Sequence, residues 1–442
     1  MKASLEAYLC ENAEQWPERM AAVCDGESVT YSELYHRVQE RVCQLKEAGL
    51  REGQIYPFRT EQSVNFLVTY FAIHLAGAAA APLEQGLPEE RFAEVASWLR
   101  RCAVAPDTAD VLYTTGTTGD AKGVMVSHRA IVANGDNLIA SQGFHRDVAF
   151  VIAGPLNHIG SLSKIFPVVM TGGTLIILQG MKDLDAFFSA FSLPFTRFAT
   201  FLVPANLRIL LQFSADRLQA LADRIEFIET GAAPMAETDM QALCHTLPHT
   251  RLYNTYASTE TGIIATHCYS HDGCIAGCLG RTMPHSRLFI TPEGTIACQG
   301  DTLMSGYVDN PQRTAEILRD NTLFTNDLGR IDGEGRLHLQ GRDDDVINVG
   351  GFKVSPVEVE DAALSHPMVK DCVCTAVSHP VTGLALRLLV VLNPGYELRK
   401  RDLARHLQSR LEPYKIPLLY EAVTHVERTF NGKLNRKYYR NH

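Results

Sequence analysis

The densest set of groups able to grip an anion lies at residues 113–123, YTTGTTGDAKG. Gly116 and Gly119 let backbone amides approach a phosphate closely, and the hydroxyls of Thr114, Thr115, Thr117 and Thr118 can donate to its oxygens. Lys122 adds a positive charge. The Walker pattern would need glycine before the lysine and Ser or Thr after it; here Ala121 precedes Lys122 and Gly123 follows. On composition alone the segment could equally be a Thr/Gly surface loop. A second concentration, His267, Cys268, His271, Cys274 and Cys278, holds donors that zinc accepts. Structural zinc sites use paired, short-spaced ligands, so a reduced, incidental cluster is expected instead.

Taken in order with later segments, the Thr/Gly loop resembles the phosphate-binding loop of the adenylate-forming superfamily. That superfamily holds acyl-CoA synthetases, peptide-synthetase adenylation domains and firefly luciferase. Its loop usually has proline where Ala121 stands, and proline there would only restrict the backbone. Residues 155–160, PLNHIG, are similar to the family segment at the acyl pocket, which implies a pocket near His158 and, with Phe201, a mostly apolar or aromatic one. GAAP at 231–234 resembles the loop beside adenine, implying that Gly231, Ala232 and Ala233 pack against the base.

Residues 254–260, NTYASTE, resemble the family's Tyr-Gly-x-Thr-Glu motif. The resemblance implies that Tyr256 stacks on adenine, Asn254 meets the base edge and Thr259 donates to the α-phosphate. Glu260 then supplies the hard oxygen that Mg²⁺ needs beside phosphates. Ala257 replaces the usual glycine; a positive φ there would cost alanine about 1 kcal/mol. Thr325-Asn326-Asp327 resembles Thr-Gly-Asp, whose carboxylate holds both ribose hydroxyls, and Asn326 suits a glycine position because asparagine visits left-handed conformations. Arg342 matches the ribose-contacting arginine, Asp344 the hinge, and Gly350 with Gly351 the glycines lining a pantetheine channel. Asn431-Gly432-Lys433 resembles the terminal Gly-Lys motif, which makes Lys433 the expected catalytic lysine.

Positioning these residues calls for an α/β scaffold. Short apolar runs at 148–153, 174–178, 199–203 and 225–229 alternate with helical patterns, as in a largely parallel or mixed sheet. Residues 88–101 spell an amphipathic helix opening with proline and acids. Near Asp327 the composition turns glycine-rich and acidic, predicting a hairpin and then a solvated connector. Ser355-Pro356-Val357-Glu358 reads as a capping box with proline at the first helical position. Strands near 372–377, 384–392 and 419–426 and a basic helix at 399–411 complete a compact α+β unit. The expected organisation is a large N-terminal ATP- and acid-binding domain of mixed sheets and helices over 1–341. A hinge at 342–345 and a small mobile α+β C-terminal domain over 346–442 follow. Between about 101 and 113 the chain is shorter than the family usually is.

Composition limits the remaining possibilities. In 442 residues, 41 basic against 50 acidic side chains leave a formal charge of −9, unsuited to nucleic acid. Eleven scattered cysteines suit a reduced, cytoplasmic protein, and the acidic N-terminus lacks the pattern of a signal peptide. The apolar stretch 66–82 is diluted by His74 and Pro82 and reads as a buried helix running into a strand, with no membrane span. The resemblance implies an AMP-forming carboxylic acid–CoA ligase that uses ATP and Mg²⁺. The substrates are then a small-molecule acid and CoA, with an acyl carrier protein as the alternative acceptor. A phosphate-transferring NTPase, or a silent nucleotide-binding homologue, are the readings from other classes. Lys164 and Arg197 could read a second carboxylate on the acid only if they face inward.

Overall fold

The computed structural model describes residues 2–115, 121–428 and 434–440. Its largest unit is a fourteen-stranded mixed sheet. The centre is parallel: Arg251–Ser258, Ile225–Gly231, Arg197–Phe201, Val148–Ile152, Thr174–Ile177 and Met20–Cys24 lie side by side. Antiparallel strands extend it on both sides, including the hairpin Thr322–Ile331 and Leu337–Arg342. Consecutive residues of the central strands enter two different cores. Phe150, Ala199 and Phe227 join one, while Ala149, Phe198 and Ile228 join the other. A sheet covered on both faces needs apolar residues at every position, which is why its strands read as unbroken runs.

A second sheet of five strands carries the Thr/Gly segment. Thr108–Thr115 and Ala121–Ser127 pair antiparallel as the two strands of a hairpin, and these strands carry the described ends of the segment. A strand therefore follows it, and the helix His128–Gln142 begins only afterwards. The stretch 66–82 forms the buried helix Val64–Leu75 and then the strand Ala79–Leu83. Among the described residues no helix is long and apolar enough to cross a membrane.

One buried charge network ties these layers together. His74 Nδ1 lies 2.6 Å from Glu6 Oε1 and its Nε2 lies 3.0 Å from Asp110 Oδ1. Tyr70 donates to the other oxygen of Asp110 at 2.9 Å. Burial opposes charge on His74, but Glu6 and Asp110 prevail and lift its pKa to about 10. Burial likewise works against ionised Glu6, yet His74 draws it down to about 2. Glu6, His74 and His128 also stand close enough to suit a metal ion. Since both nitrogens of His74 are occupied by carboxylates, the ring is a doubly donating imidazolium and not a ligand.

Residues beyond the connector build their own core, drawn from positions 347 to 420. Strands Val369–His379, Gly383–Leu392 and Leu419–Ala422 form its sheet, with helices Pro356–Leu364 and Lys400–Gln408 packed nearby. Two local expectations change in detail. Ser355 is the N-cap of its helix, but its hydroxyl makes no cap hydrogen bond, and Glu358 turns instead to Lys415 at 2.6 Å. The amphipathic helix runs Glu89–Arg101, with Pro88 one place earlier than the first helical turn.

Candidate active site

Two tyrosines draw the separate motifs into one place. The parallel strand Arg251–Ser258 turns back at Thr259, Glu260 and Thr261 into Gly262–Cys268, which sets Glu260 at a hairpin tip. Tyr307 donates its hydroxyl to Glu260 Oε1 at 2.9 Å. Its own strand, Gly306–Tyr307, pairs with Ala121–Ser127, so the same residue belongs to the Thr/Gly hairpin. Lys122 Nζ sits 5.3 Å from the centre of the Tyr307 ring, a cation–π contact. Burial and the neighbouring Glu260 push the Tyr307 phenol up, which keeps it a donor. Nothing local in the sequence pointed to Tyr307.

The second tyrosine joins the adenine motif to the expected ribose carboxylate. Tyr256 donates to Asp327 Oδ2 at 2.6 Å, and Arg342 Nε donates to Oδ1 at 3.0 Å. Asp327 and Arg342 are direct partners across their hairpin. Burial and the Asp327 charge raise the Tyr256 hydroxyl well above its ordinary value. Asn326 lies in the strand Thr322–Ile331, outside the left-handed region, so its tolerance for positive φ is not called on. Ala257 also avoids positive φ, which removes the strain that its replacement of glycine raised.

Gly231 ends the neighbouring strand. A Cβ there would stand 2.7 Å from the Thr255 carbonyl, so only glycine lets the GAAP loop close on the Tyr256 strand. Ala232 adopts a positive φ of 67° and Ala233 follows it. Asn254 is buried with its amide nitrogen on the Cys278 carbonyl at 3.0 Å, leaving its oxygen for other partners.

His158 caps the short helix Ile159–Leu162, and Phe201 ends the strand Arg197–Phe201. The Phe201 ring lies against the same segment at Gly160, where a Cβ would stand 3.0 Å from it. Lys164 does face inward, but it is paired: its Nζ lies 2.8 Å from Glu229 Oε1, with both side chains 1% exposed. Burial outweighs Glu229 and lowers the Lys164 pKa. Arg197 is exposed and donates to the Asp223 carbonyl. Glu229 went unremarked in the sequence, although a signal existed: it interrupts an apolar strand on the face that also carries Phe227.

Gly350 and Gly351 form the two-residue turn between Ile347–Val349 and Phe352–Val354, with φ of 59° and 96°. Such a turn demands positive φ at both positions, so hairpin geometry alone explains this glycine pair. Asp344 lies in the 3₁₀ turn Asp343–Asp345. Thr114 and Thr115 end the first strand of the Thr/Gly hairpin, opposite Lys122 and Ala121. Gly116, Thr117, Thr118, Gly119 and Lys433 lie outside the described residues. The His267–Cys278 donors do not gather: His267 bonds the Gly273 carbonyl and Cys274 faces Cys244. Among the described residues they form no group able to hold a metal.

Mg²⁺ beside phosphates wants a hard, fixed oxygen. Glu260 fits, because Tyr307 holds Oε1 and Oε2 takes no hydrogen bond among the described residues.

The model of the AMP-binding enzyme matches residues 9–104 and 96–308, and that of its C-terminal domain matches 358–433. This chain belongs to the AMP-binding enzyme family. It is an adenylate-forming enzyme of the acyl-CoA synthetase kind. The two pieces of the larger match meet at 96–104, next to the stretch expected to be short. Among relatives, feruloyl-CoA synthase of Amycolatopsis sp is 27% identical over 487 aligned positions, covering 97% of each chain. The 2-succinylbenzoate–CoA ligase of Geobacillus sp. is 26% identical, covering 99% of this chain and 97% of its own. The structure of ATP-bound MatB from Rhodopseudomonas palustris superposes with a TM-score of 0.89 at 25% identity, over 100% of this chain and 99% of that one. The AMP-binding enzyme fold, of mixed α/β layers with a small C-terminal unit, is thus the fold of this chain.

Proposed function

We propose that this AMP-binding enzyme activates a carboxylic acid in two half-reactions and transfers the acyl group to CoA. The observation that carries the reading is the single constellation made by Lys122, Tyr307, Glu260, Tyr256, Asp327 and Arg342. Its members are a cation, a metal-fit carboxylate, an aromatic face and a diol-fit carboxylate, the groups that a bound nucleotide calls on. Similarity to feruloyl-CoA synthase and 2-succinylbenzoate–CoA ligase supports CoA as the acceptor.

In the first half-reaction a carboxylate oxygen attacks the α-phosphorus of ATP, the bond to the β-phosphate breaks and pyrophosphate leaves. Glu260 would hold the Mg²⁺, which when bound would supply charge neutralisation at the phosphate oxygens. The threonine hydroxyls of 114–118, Thr259 and Lys433 donate to the charge that shifts onto those oxygens. Asp327 accepts from the ribose hydroxyls in place of Tyr256, and Arg342 holds it in position. In the second half-reaction a thiol sulfur attacks the acyl carbon, the bond to AMP breaks and the thiol proton passes to solvent. The portion 346–442 turns about 342–345 between the two, withdrawing Lys433. The separate core of residues 347–420 supports such a division. The pantetheine arm is assigned to the Gly350–Gly351 turn, where a Cβ at Gly351 meets nothing within 4 Å. A cytoplasmic location suits the free thiols.

Mass spectrometry of the protein with ATP, Mg²⁺ and aliphatic and aryl acids, with and without CoA, tests the reading. Acyl-CoA with AMP is expected. AMP or acyl-adenylate without a CoA adduct points to a carrier protein, and ADP overturns adenylation altogether.

A further inference from the structure

We infer that the buried pair Lys164–Glu229 selects the substrate class: the pocket takes a carboxylic acid carrying a neutral hydroxyl at the end remote from its carboxylate. This rests on the acid-activating reading above and narrows it. The pair belongs to the face where the acid is expected. Glu229 is in register with Phe201 on the adjacent parallel strand and stands two residues before Gly231, so all three address one side of the sheet. Lys164 Nζ lies 5.0 Å from the centre of the Phe201 ring. A Cβ at Gly231 would lie 3.8 Å from that ring on its other edge, and one at Gly160 3.0 Å from it. Phe201 is therefore flanked by the pair, by the His158 segment and by the GAAP loop.

The pair is also incomplete. Glu229 Oε2 is fully buried and has no hydrogen-bond partner among the described residues. Lys164 has three N–H donors and spends one on Glu229. A buried ion pair contributes little net stability, and an unpaired buried carboxylate oxygen subtracts from it. One hydroxyl completes both groups, donating to Glu229 Oε2 and accepting from Lys164 Nζ. A second carboxylate would be repelled by Glu229, an ammonium would be repelled by Lys164, and an apolar end leaves the oxygen orphaned.

The test compares matched acids with and without the hydroxyl: 3-(4-hydroxyphenyl)propanoic against 3-phenylpropanoic acid, and 6-hydroxyhexanoic against hexanoic acid. Binding is measured by calorimetry with a non-hydrolysable ATP analogue present, and turnover by AMP and acyl-CoA release. The wild type should favour the hydroxylated member of at least one pair by roughly ten- to hundredfold in Kd and kcat/KM. The double variant Lys164→Met, Glu229→Leu removes both charges together, so it keeps its fold and should lose or reverse that preference. Equal binding of both members of both pairs by the wild type, or an unchanged preference in the double variant, overturns the assignment. A hydroxyl preference in binding with neither AMP nor acyl-CoA formed would uphold the pocket and remove the ligase reading. Turnover without any preference would do the opposite.

Discussion

Tyr307 and Asp327 each serve two partners, and their substitutions should separate cleanly. Tyr307→Phe keeps the ring against Lys122 but releases Glu260 Oε1. A hydrogen bond to a charged group is worth about 1.5–3 kcal/mol, so adenylate formation should fall roughly ten- to hundredfold. The Mg²⁺ concentration for half-maximal rate should rise with it, which pyrophosphate release over a magnesium titration will reveal. Asp327→Ala removes the acceptor shared by Tyr256 and Arg342. Its main effect should be a rise in KM for ATP of about tenfold or more, with KM for the acid unmoved. Lys433→Ala should abolish adenylate formation yet spare thioester formation from supplied acyl-adenylate; equal loss of both halves refutes its role.

Among the elements, the last helix described is tied to the hinge side by an arginine, while its Tyr439 accepts from the Glu427 N–H at 2.7 Å. Arg436 donates to Glu360 at 2.9 and 2.7 Å and lies 3.3 Å from Asp345, beside the expected hinge. Arg436→Gln would leave Glu360 buried without its partner, at a cost of about 3–5 kcal/mol. Faster hydrogen exchange across Pro356–Leu364 is the expected signature, and Arg436→Lys should rescue it only in part because the two-pronged contact is lost. Elements of this kind were legible where periodicity is strong: four of the six central strands, the helix Val64–Leu75 into Ala79–Leu83, and the hairpin carrying Asp327 were all anticipated from apolar runs and turn residues. The strand Ala121–Ser127 was not, because AKGVMVS gains its pairing from Thr108–Thr115 and Gly306–Tyr307 and carries little strand signal of its own. Tyr307 was invisible for the same reason: its partners are 47 residues away at Glu260 and farther still at Lys122. Ser355 misled in the other direction, since its sequence promises a cap that its hydroxyl does not make.

For the molecule as a whole, the Glu6–His74–Asp110 network should govern how stability responds to pH. His74 titrates at about 10 when folded against 6.5 unfolded, so its contribution is complete below pH 6.5 and disappears as pH rises through 10. Glu6 titrates at about 2 against 4.5, so its share is complete above pH 4.5 and is lost as pH falls through 2. Urea unfolding should therefore find the network at full strength between pH 4.5 and 6.5, the window bounded by those two unfolded values. His74→Gln should cost about 3–5 kcal/mol in that window and flatten the decline toward alkaline pH; an unaltered slope would count against the imidazolium.

The same network has a bearing on how the chain is made. Glu6 meets His74 across 68 residues, and Asn12 of the same helix bonds the Val169 carbonyl across 157. At ribosomal rates of roughly 5–20 residues per second, the helix Leu5–Gln15 waits on the order of ten to thirty seconds for its last partner to be synthesised. Until then its apolar face and its buried-to-be carboxylate are both in water. An early-made segment of this enzyme is thus among the late ones to be seated, and its exposure during translation makes it a natural handhold for a chaperone.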